Sequence, residues 1–324
     1  MYPVTKGSLP LMGNNYVTKL IKYLKEEYII INKNETGFGL LDMFFKMHKS
    51  DFIYFNWIED LPDKRYGYLQ IPVLCLIVML SKIFRIKLIW FVHDNLSHTP
   101  RNVRWKKFIT AIMGKYSDFI IAHTAISKYK SFNNFYCFDH PMDDFTPIIP
   151  QLPYKFDLLI WGKMFPYKGI AEFMEYNANS THNNKYKVLL AGKFESQEYY
   201  EKVKKFAKEN VTILNRAIPE PELIDLFSIS KYILFTYNSK SVQSSAALCK
   251  TLSFGKDIIG PEIGSFRELG QKGLIFTYDS FGNLEKLLEV LENESLHIDQ
   301  LKVKNYIEKT TWPQFLNFLI AVLK

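Results

Sequence analysis

Cysteine is scarce in this chain. Its 324 residues hold three, Cys75, Cys137 and Cys249, each inside an apolar run and none near another. That excludes a disulfide framework and a Cys-x-x-Cys metal site, and it points to a reducing compartment. No Asp-x-Asp occurs anywhere, so the short paired-carboxylate signature of a metal-bound diphosphate is missing and no metal is expected. Long apolar runs are also missing. The longest, 71–80, is broken only by Pro72, and a membrane span needs ~20 residues. The run reads instead as a buried helix with Pro72 in its first turn. The start, Met1-Tyr2-Pro3-Val4, shows no basic stretch followed by an apolar core, so no secretory signal is expected. No low-complexity tract or internal repeat stands out.

What is present suits a globular protein: 48% hydrophobic, 23% charged and a high 16% aromatic. The length suits two domains of ~150 residues. The net charge of +8 is uneven: residues 1–150 carry 19 Lys and Arg against 13 Asp and Glu, residues 151–324 carry 22 against 20. A basic first half suits an anionic surface, either nucleic acid or anionic lipid. Lysines interleave with aromatics mostly at core-like spacing and no RNA or DNA motif appears, so no nucleic-acid partner is expected. The apolar helix at 72–84 and the cluster Arg101, Arg104, Lys106, Lys107 around Trp105 make an anionic membrane surface a candidate partner, with a buried helix and an ordinary solvated face as the plain alternative.

The second half alternates β-rich runs (156–161, 187–191, 211–214, 232–237, 257–260, 274–278) with helical patterns (168–177, 197–208, 220–228, 244–254). Such a series predicts a parallel sheet wrapped by helices. The first half repeats it less cleanly, with strands at 28–32, 51–57, 87–92, 119–122 and 135–138 and a helix at 17–24. Four prolines in 141–153 mark a linker. The expected class is α/β, with two similar open domains and a ligand in the cleft between them, outside the carboxyl ends of the strands.

Three segments carry chemistry. Gly162-Lys163-Met164-Phe165-Pro166-Tyr167-Lys168-Gly169 follows a strand and opens a helix. Two lysines there bracket a strand-to-helix turn whose free backbone N–H groups favour an anion, and a diphosphate would fit; two solvated lysines on a loop are the plain alternative. Ser244 or Ser245 could cap the helix running to Phe254, and a small-residue helix start is also a second phosphate cradle. His93, at the end of an apolar strand, could donate to an anionic or hydroxyl group, with Asp94 or His98 orienting it or contacting an acceptor. A satisfied buried histidine is the plain alternative for His93, and it is the favoured reading for His123.

The order of these features resembles the group-1, family-four-like glycosyltransferases of the GT-B fold, found in bacterial surface polysaccharide synthesis. The segments that carry the resemblance are Asn14-Asn15-Tyr16 before a helix, FVHDNLSH (91–98), FDHPMDDF (138–145), WGKMFPYKGI (161–170), IPEPELIDLFSISKYILFTY (218–237) and SSAALCKTLSFGKDIIGP (244–261). Together they span most of the chain. The resemblance implies two Rossmann-like domains facing across a cleft: residues 1–145 on the acceptor side, 146–308 binding the nucleotide sugar, and a final helix within 309–324 crossing back. It implies that Lys163 and Lys168 hold the donor diphosphate, supported by Ser244 and Ser245. The loops at Gly192 and Lys193 and at Ile218 would meet the base, and His93 would lie near the transferred sugar or its phosphate. Asn14, Tyr16 and His98 fall on the acceptor side. The family's two glutamates, separated by seven residues, correspond here to Val242 and Lys250. Lys250 would then be either a third cation for the diphosphate or a solvated helix lysine.

The expected activity is a metal-independent hexosyltransferase. It needs no cofactor beyond its nucleoside diphosphate sugar, takes a glycan or lipid-linked acceptor, and works in the cytoplasm, peripheral at the inner face of the cell membrane. Two rivals are a GT-B-fold sugar-nucleotide epimerase, for which no convincing carboxylate pair is found, and a catalytically inactive partner that kept the fold.

Overall fold

The structure is a computed structural model that describes residues 15–31, 39–64, 66–93, 101–124, 129–180, 185–238 and 245–324. It divides into two compact units: Met1–Pro141 with Thr310–Lys324, and Met142–Lys309. The first contains α1 (Asn15–Leu24), α2 (Leu40–Lys46), β1 (Phe52–Asn56), α3 (Gly67–Ile83), β2 (Lys87–Val92), α4 (Val103–Tyr116), β3 (Phe119–Ala122) and β4 (Phe135–Cys137). The second contains β5 (Phe156–Trp161), α5 (Ile170–Asn179), β6 (Val188–Ala191), α6 (Gln197–Lys204), β7 (Val211–Leu214), α7 (Glu220–Ser228), β8 (Ser230–Leu234), α8 (Ala246–Ser253), β9 (Ile258–Pro261), α9 (Gly264–Gln271), β10 (Phe276–Tyr278), α10 (Phe281–Glu294) and α11 (Gln300–Lys309). The last helix, α12 (Trp312–Leu323), returns to the first unit.

In the first unit four parallel strands pair in chain order, β1-β2-β3-β4. Alternation along β2 sorts its side chains between two layers. Leu88, Trp90 and Val92 pack with Ile71, Leu74 and Ile77 of α3 and Ile109 and Met113 of α4. Ile89 and Phe91 turn to the other face, against Tyr16, Val17 and Leu20 of α1 and Phe315 and Leu319 of α12. The strand expected at 28–32 does not form over its described residues. The Tyr28 amide instead closes the end of α1, on the Leu24 carbonyl at 2.8 Å. Tyr28 and Ile30 still pack toward the α1–α12 layer while Ile29 is exposed, so the side-chain alternation survives without a ladder. The apolar helix starts earlier than expected, at Gly67, which puts Pro72 inside it and frees the Tyr68 carbonyl. It packs on β2, α2 and residues 58–63, and its far side is exposed.

In the second unit six parallel strands run in the order β10-β9-β8-β5-β6-β7. The chain starts at the centre, moves out through β6 and β7, then returns beside β5 with β8 and moves out the other way. The connections thus reverse between β5 and β8, and such a switch point is where an open α/β sheet binds its ligand. Both faces of the sheet are buried. Leu159, Leu189 and Ile233 face one core, Leu158, Ile160 and Leu190 the other, which is why these strands read as nearly unbroken apolar runs. The proline-rich segment expected as a linker lacks regular structure but is bound to this unit. The Thr146, Ile148 and Gln151 amides donate to the Ser253, Phe254 and Ser228 carbonyls at 2.8, 3.0 and 2.9 Å.

Candidate functional sites

The switch point of the second unit gathers several of the expected donor residues. Lys168 ends the turn after β5. Its side chain is buried, and no described carboxylate or hydrogen-bond acceptor meets its ammonium. Burial lowers its pKa from 10.5 to about 8. A Cβ at Gly162 would lie 3.4 Å from the Lys168 ammonium, and the Tyr237 ring centroid lies 5.7 Å from it. Gly169, at φ 67°, lets the turn press against the chain after β8: a Cβ there would sit 2.1 Å from the Thr236 carbonyl oxygen. The Thr236 hydroxyl donates to the Lys168 carbonyl at 2.7 Å.

Ser245 reaches the same place from α8. It caps that helix, its Oγ accepting from the Leu248 amide at 3.3 Å, and it lies 3.1 Å from the Tyr237 hydroxyl. Lys168, Tyr237 and Ser245 thus form one cluster beside a helix amino terminus, and an ammonium there complements the positive helix end in attracting an anion. Ser244 lies outside the described residues.

The other donor-side positions form a row of loops at the carboxyl ends of β5, β6 and β7. Gly162 donates to the Ala191 carbonyl at 3.0 Å and Gly192 to the Leu214 carbonyl at 3.0 Å. The two glycines touch: a Cβ at Gly192 would lie 1.9 Å from the Gly162 oxygen. Met164 donates to the Lys193 carbonyl at 3.0 Å. The Lys163 and Lys193 side chains are exposed, and Ile218 is half-buried against the core. Lys250 is neither a free third cation nor a solvated surface lysine. It is half-buried and pairs with Glu220, in the first turn of α7, at 2.9 Å.

The first unit holds a second cluster, at the carboxyl ends of its strands. Asn56 ends β1, His93 follows β2 and His123 follows β3. The His93 Nε2 lies 2.9 Å from the Asn56 Oδ1. An amide oxygen only accepts, so Nε2 carries the proton and Nδ1 presents a lone pair. Trp57 stacks on the His93 ring at 3.8 Å and 13°, holding a left-handed backbone (φ 47°) to do so. The His123 Nδ1 donates to the Phe138 carbonyl at 2.9 Å, so its Nε2 accepts from the Tyr16 hydroxyl at 3.0 Å. His140 lies 4.6 Å from His123 and 5.5 Å from Tyr16, ring to ring, and Trp312 of α12 lies 5.3 Å from Tyr16. The His123 contacts make it a satisfied buried histidine, as expected, and also a support for Tyr16. Asn14, Asp94 and His98 lie outside the described residues. Asn56, Trp57, Thr236 and Tyr237 carry one signal in the sequence, a position at or after the end of a strand; His140 lies in the FDHPMDDF segment, without a role assigned to it there.

Burial holds the His93 and His123 pKa values well below 6.5, with the nearby His140 charge adding to the shift in both. The folded unit therefore binds fewer protons than the unfolded chain as pH falls below 6.5, so stability must fall with it. The slope is up to ~1.4 kcal/mol per pH unit for each histidine. Trp57, Trp90, Trp105 and Trp312 belong to this unit and Trp161 to the other. Denaturant melts followed by tryptophan fluorescence should show the midpoint dropping from pH 7 to pH 5, and His123→Phe should reduce the slope. A pH-independent midpoint would contradict this account.

No protein-family model and no curated protein matches the chain. Solved structures do, and they show the fold to be GT-B, built from two Rossmann-like domains. The Anabaena protein Alr3699/HepE, solved with UDP, is 14% identical with a TM-score of 0.63, over 87% of this chain and 80% of that one. A glycosyltransferase from Rickettsia africae is 15% identical with a TM-score of 0.63, over 94% and 88%. The lipopolysaccharide outer core galactosyltransferase WaaB is 13% identical with a TM-score of 0.63, over 88% and 78%.

Proposed function

We propose that the chain is a family-four-like, metal-independent hexosyltransferase of surface polysaccharide synthesis. It moves a sugar from a nucleoside diphosphate sugar to a hydroxyl of a glycan or lipid-linked acceptor. The observation that carries this reading is Lys168, a buried lysine whose ammonium faces the Tyr237 ring and meets no described carboxylate, at the switch point of a doubly wound sheet and beside a capped helix start. Holding a cation there without a carboxylate costs stability, which an anionic ligand would return. Support for the donor class comes from HepE, solved with UDP and with UDP-glucose, and for the acceptor class from WaaB, named for its lipopolysaccharide.

In the reaction the bond from the sugar C1 to the β-phosphate oxygen breaks, and a bond from the acceptor oxygen to C1 forms. The diphosphate leaves with the electron pair. Lys168, Lys163 and the amino end of α8, with Ser244 and Ser245, stabilise its charge in place of a metal. The loops of Gly192, Lys193 and Ile218 take the nucleoside, and the Lys250–Glu220 pair braces the last of them. His93 Nδ1 accepts the proton of the attacking hydroxyl. Asp94 assists His93 in catalysis, and Asn14, Tyr16 and His98 serve the acceptor side. The enzyme works in the cytoplasm, peripheral at the membrane's inner face, where lipid-linked acceptors lie.

Thermal unfolding with a panel of UDP, GDP, CDP, ADP and dTDP tests the donor site. The matching nucleotide at ~100 times its dissociation constant should add ~2.7 kcal/mol of stability. The corresponding nucleotide sugar should then release nucleoside diphosphate in the presence of acceptor glycans. No stabilisation by any of the five would overturn the donor site. Binding without release would mark a partner that kept the fold and lost the activity.

A further inference from the structure

α3 is apolar on every side but covered on only one. Ile71, Leu74, Ile77 and Val78 are buried toward the sheet. On the far side Leu69, Leu76, Met79 and Ile83 are 73%, 37%, 53% and 63% exposed. Their spacing places them in one stripe along ~20 Å of helix. At its amino end the stripe meets α4: the Tyr68 ring packs edge-on to Trp105 at 6.1 Å, and Trp105 to Phe108 at 5.9 Å. Those two α4 residues are 45% and 43% exposed. A contiguous apolar face of this kind marks an interaction site.

The charge around the stripe identifies what covers it. Residues 66–117 contain eight Lys and Arg and a single acidic residue, Asp94, and neither α3 nor α4 contains a carboxylate. Three of the eight are used internally, Lys87 among them, 3.7 Å from Asp118. Lys106, expected in the surface cluster, is buried against Asp63 at 2.5 Å and Asp60 at 3.8 Å. Lys82 pairs with Asp118 at 2.9 Å. Arg101, Arg104 and Lys107 are exposed around Trp105 and pair with no described carboxylate.

We infer that this face of α3 and α4 docks on an anionic lipid bilayer. The stripe lies in the plane of the interface with its apolar side chains at the acyl boundary. Tyr68 and Trp105 sit at headgroup level, and Arg101, Arg104 and Lys107 contact lipid phosphates. A second copy of the chain docked about a two-fold axis would bring the same cations together, whereas an anionic bilayer complements them. No described helix is long and apolar enough to cross a membrane, and lying in the interface requires none. The inference rests on the peripheral placement proposed above and names the surface responsible for it.

Flotation of the full chain with vesicles tests it. Vesicles of phosphatidylcholine mixed with phosphatidylglycerol should bind the protein, and the binding should weaken as salt rises toward ~0.15 M. Pure phosphatidylcholine should bind roughly tenfold less or weaker. Arg104→Glu with Lys107→Glu should lower binding to the anionic vesicles by about tenfold or more. Met79→Gln with Ile83→Gln should lower it at unchanged charge. All variants should keep the wild-type thermal shift with nucleoside diphosphate, which separates failure here from failure of the donor site. Equal binding to both vesicle types, no binding to either, or a dimer that Met79→Gln with Ile83→Gln dissociates in the absence of vesicle binding would overturn the inference.

Discussion

Replacing Lys168 with methionine is expected to raise the stability of the protein and weaken nucleoside diphosphate binding at the same time. Methionine fills a similar volume and brings no charge into a buried place. The folded pKa of Lys168 is about 8 against an unfolded 10.5, so at neutral pH the buried charge costs on the order of 3 kcal/mol. Removing it should raise the melting temperature by several degrees. The sign fixes a second readout. Between pH 8 and 10.5 the unfolded chain holds a proton that the folded chain has lost, so wild-type stability should climb with pH across that window. Lys256, also buried and held at about 8, climbs in the same window, so the difference between wild type and Lys168→Met isolates Lys168. Binding moves the other way. A charge-assisted hydrogen bond to a diphosphate is worth ~1.5–3 kcal/mol, so affinity should fall by roughly 10- to 100-fold. Wild-type affinity should also weaken above pH 8, where binding must recharge the amine, and the variant should not show this step. Calorimetric titration of the nucleotide that stabilises the wild type measures both. A destabilised variant with unchanged affinity would make Lys168 a structural residue and remove the donor site from this turn.

The difference between Lys163 and Lys168 illustrates what sequence can and cannot carry. Both were visible as cations in one strand-to-helix turn, and β5 falls where its apolar run places it, because a parallel strand buried on both faces leaves an unbroken signal. Which lysine lies beneath Gly162 depends on the turn's path, and that path is set by contact between the turn and Thr236, whose hydroxyl donates to the Lys168 carbonyl from 68 residues away along the chain. Tyr237 was missed because a tyrosine ending an apolar run looks like core, which it also is. Lys250 could be read two ways until Glu220, on another helix, appeared beside it. α3 was read as buried because its periodicity records only that every side is apolar. Whether a neighbour covers each side is a property of the fold. The strand at 28–32 had the right alternation, and what it lacks is a ladder.

The first unit's cluster leads to the other large effect. His93→Ala should lower turnover by ~10²–10⁴-fold, the range for loss of a general base, and leave donor affinity nearly unchanged, because the proposed donor determinants belong to the second unit. The histidine is neutral across the working range, since burial keeps its pKa well below 6.5. Asn56 fixes its Nε2 proton, which leaves Nδ1 as the basic atom. Buried histidines can be purely structural, so loss of activity alone decides little. Asn56→Asp distinguishes the two roles. A carboxylate facing Nε2 stabilises the imidazolium and raises the pKa of His93, so the base would be protonated at a pH where the wild type is active. The acidic limb of the pH profile of kcat should move upward, with activity recovering at higher pH and donor affinity unaffected. If His93 only supports the fold around Trp57, Asn56→Asp should scale activity equally at every pH, and His93→Ala should lose folding and turnover together. An unshifted limb in Asn56→Asp would remove His93 from proton transfer.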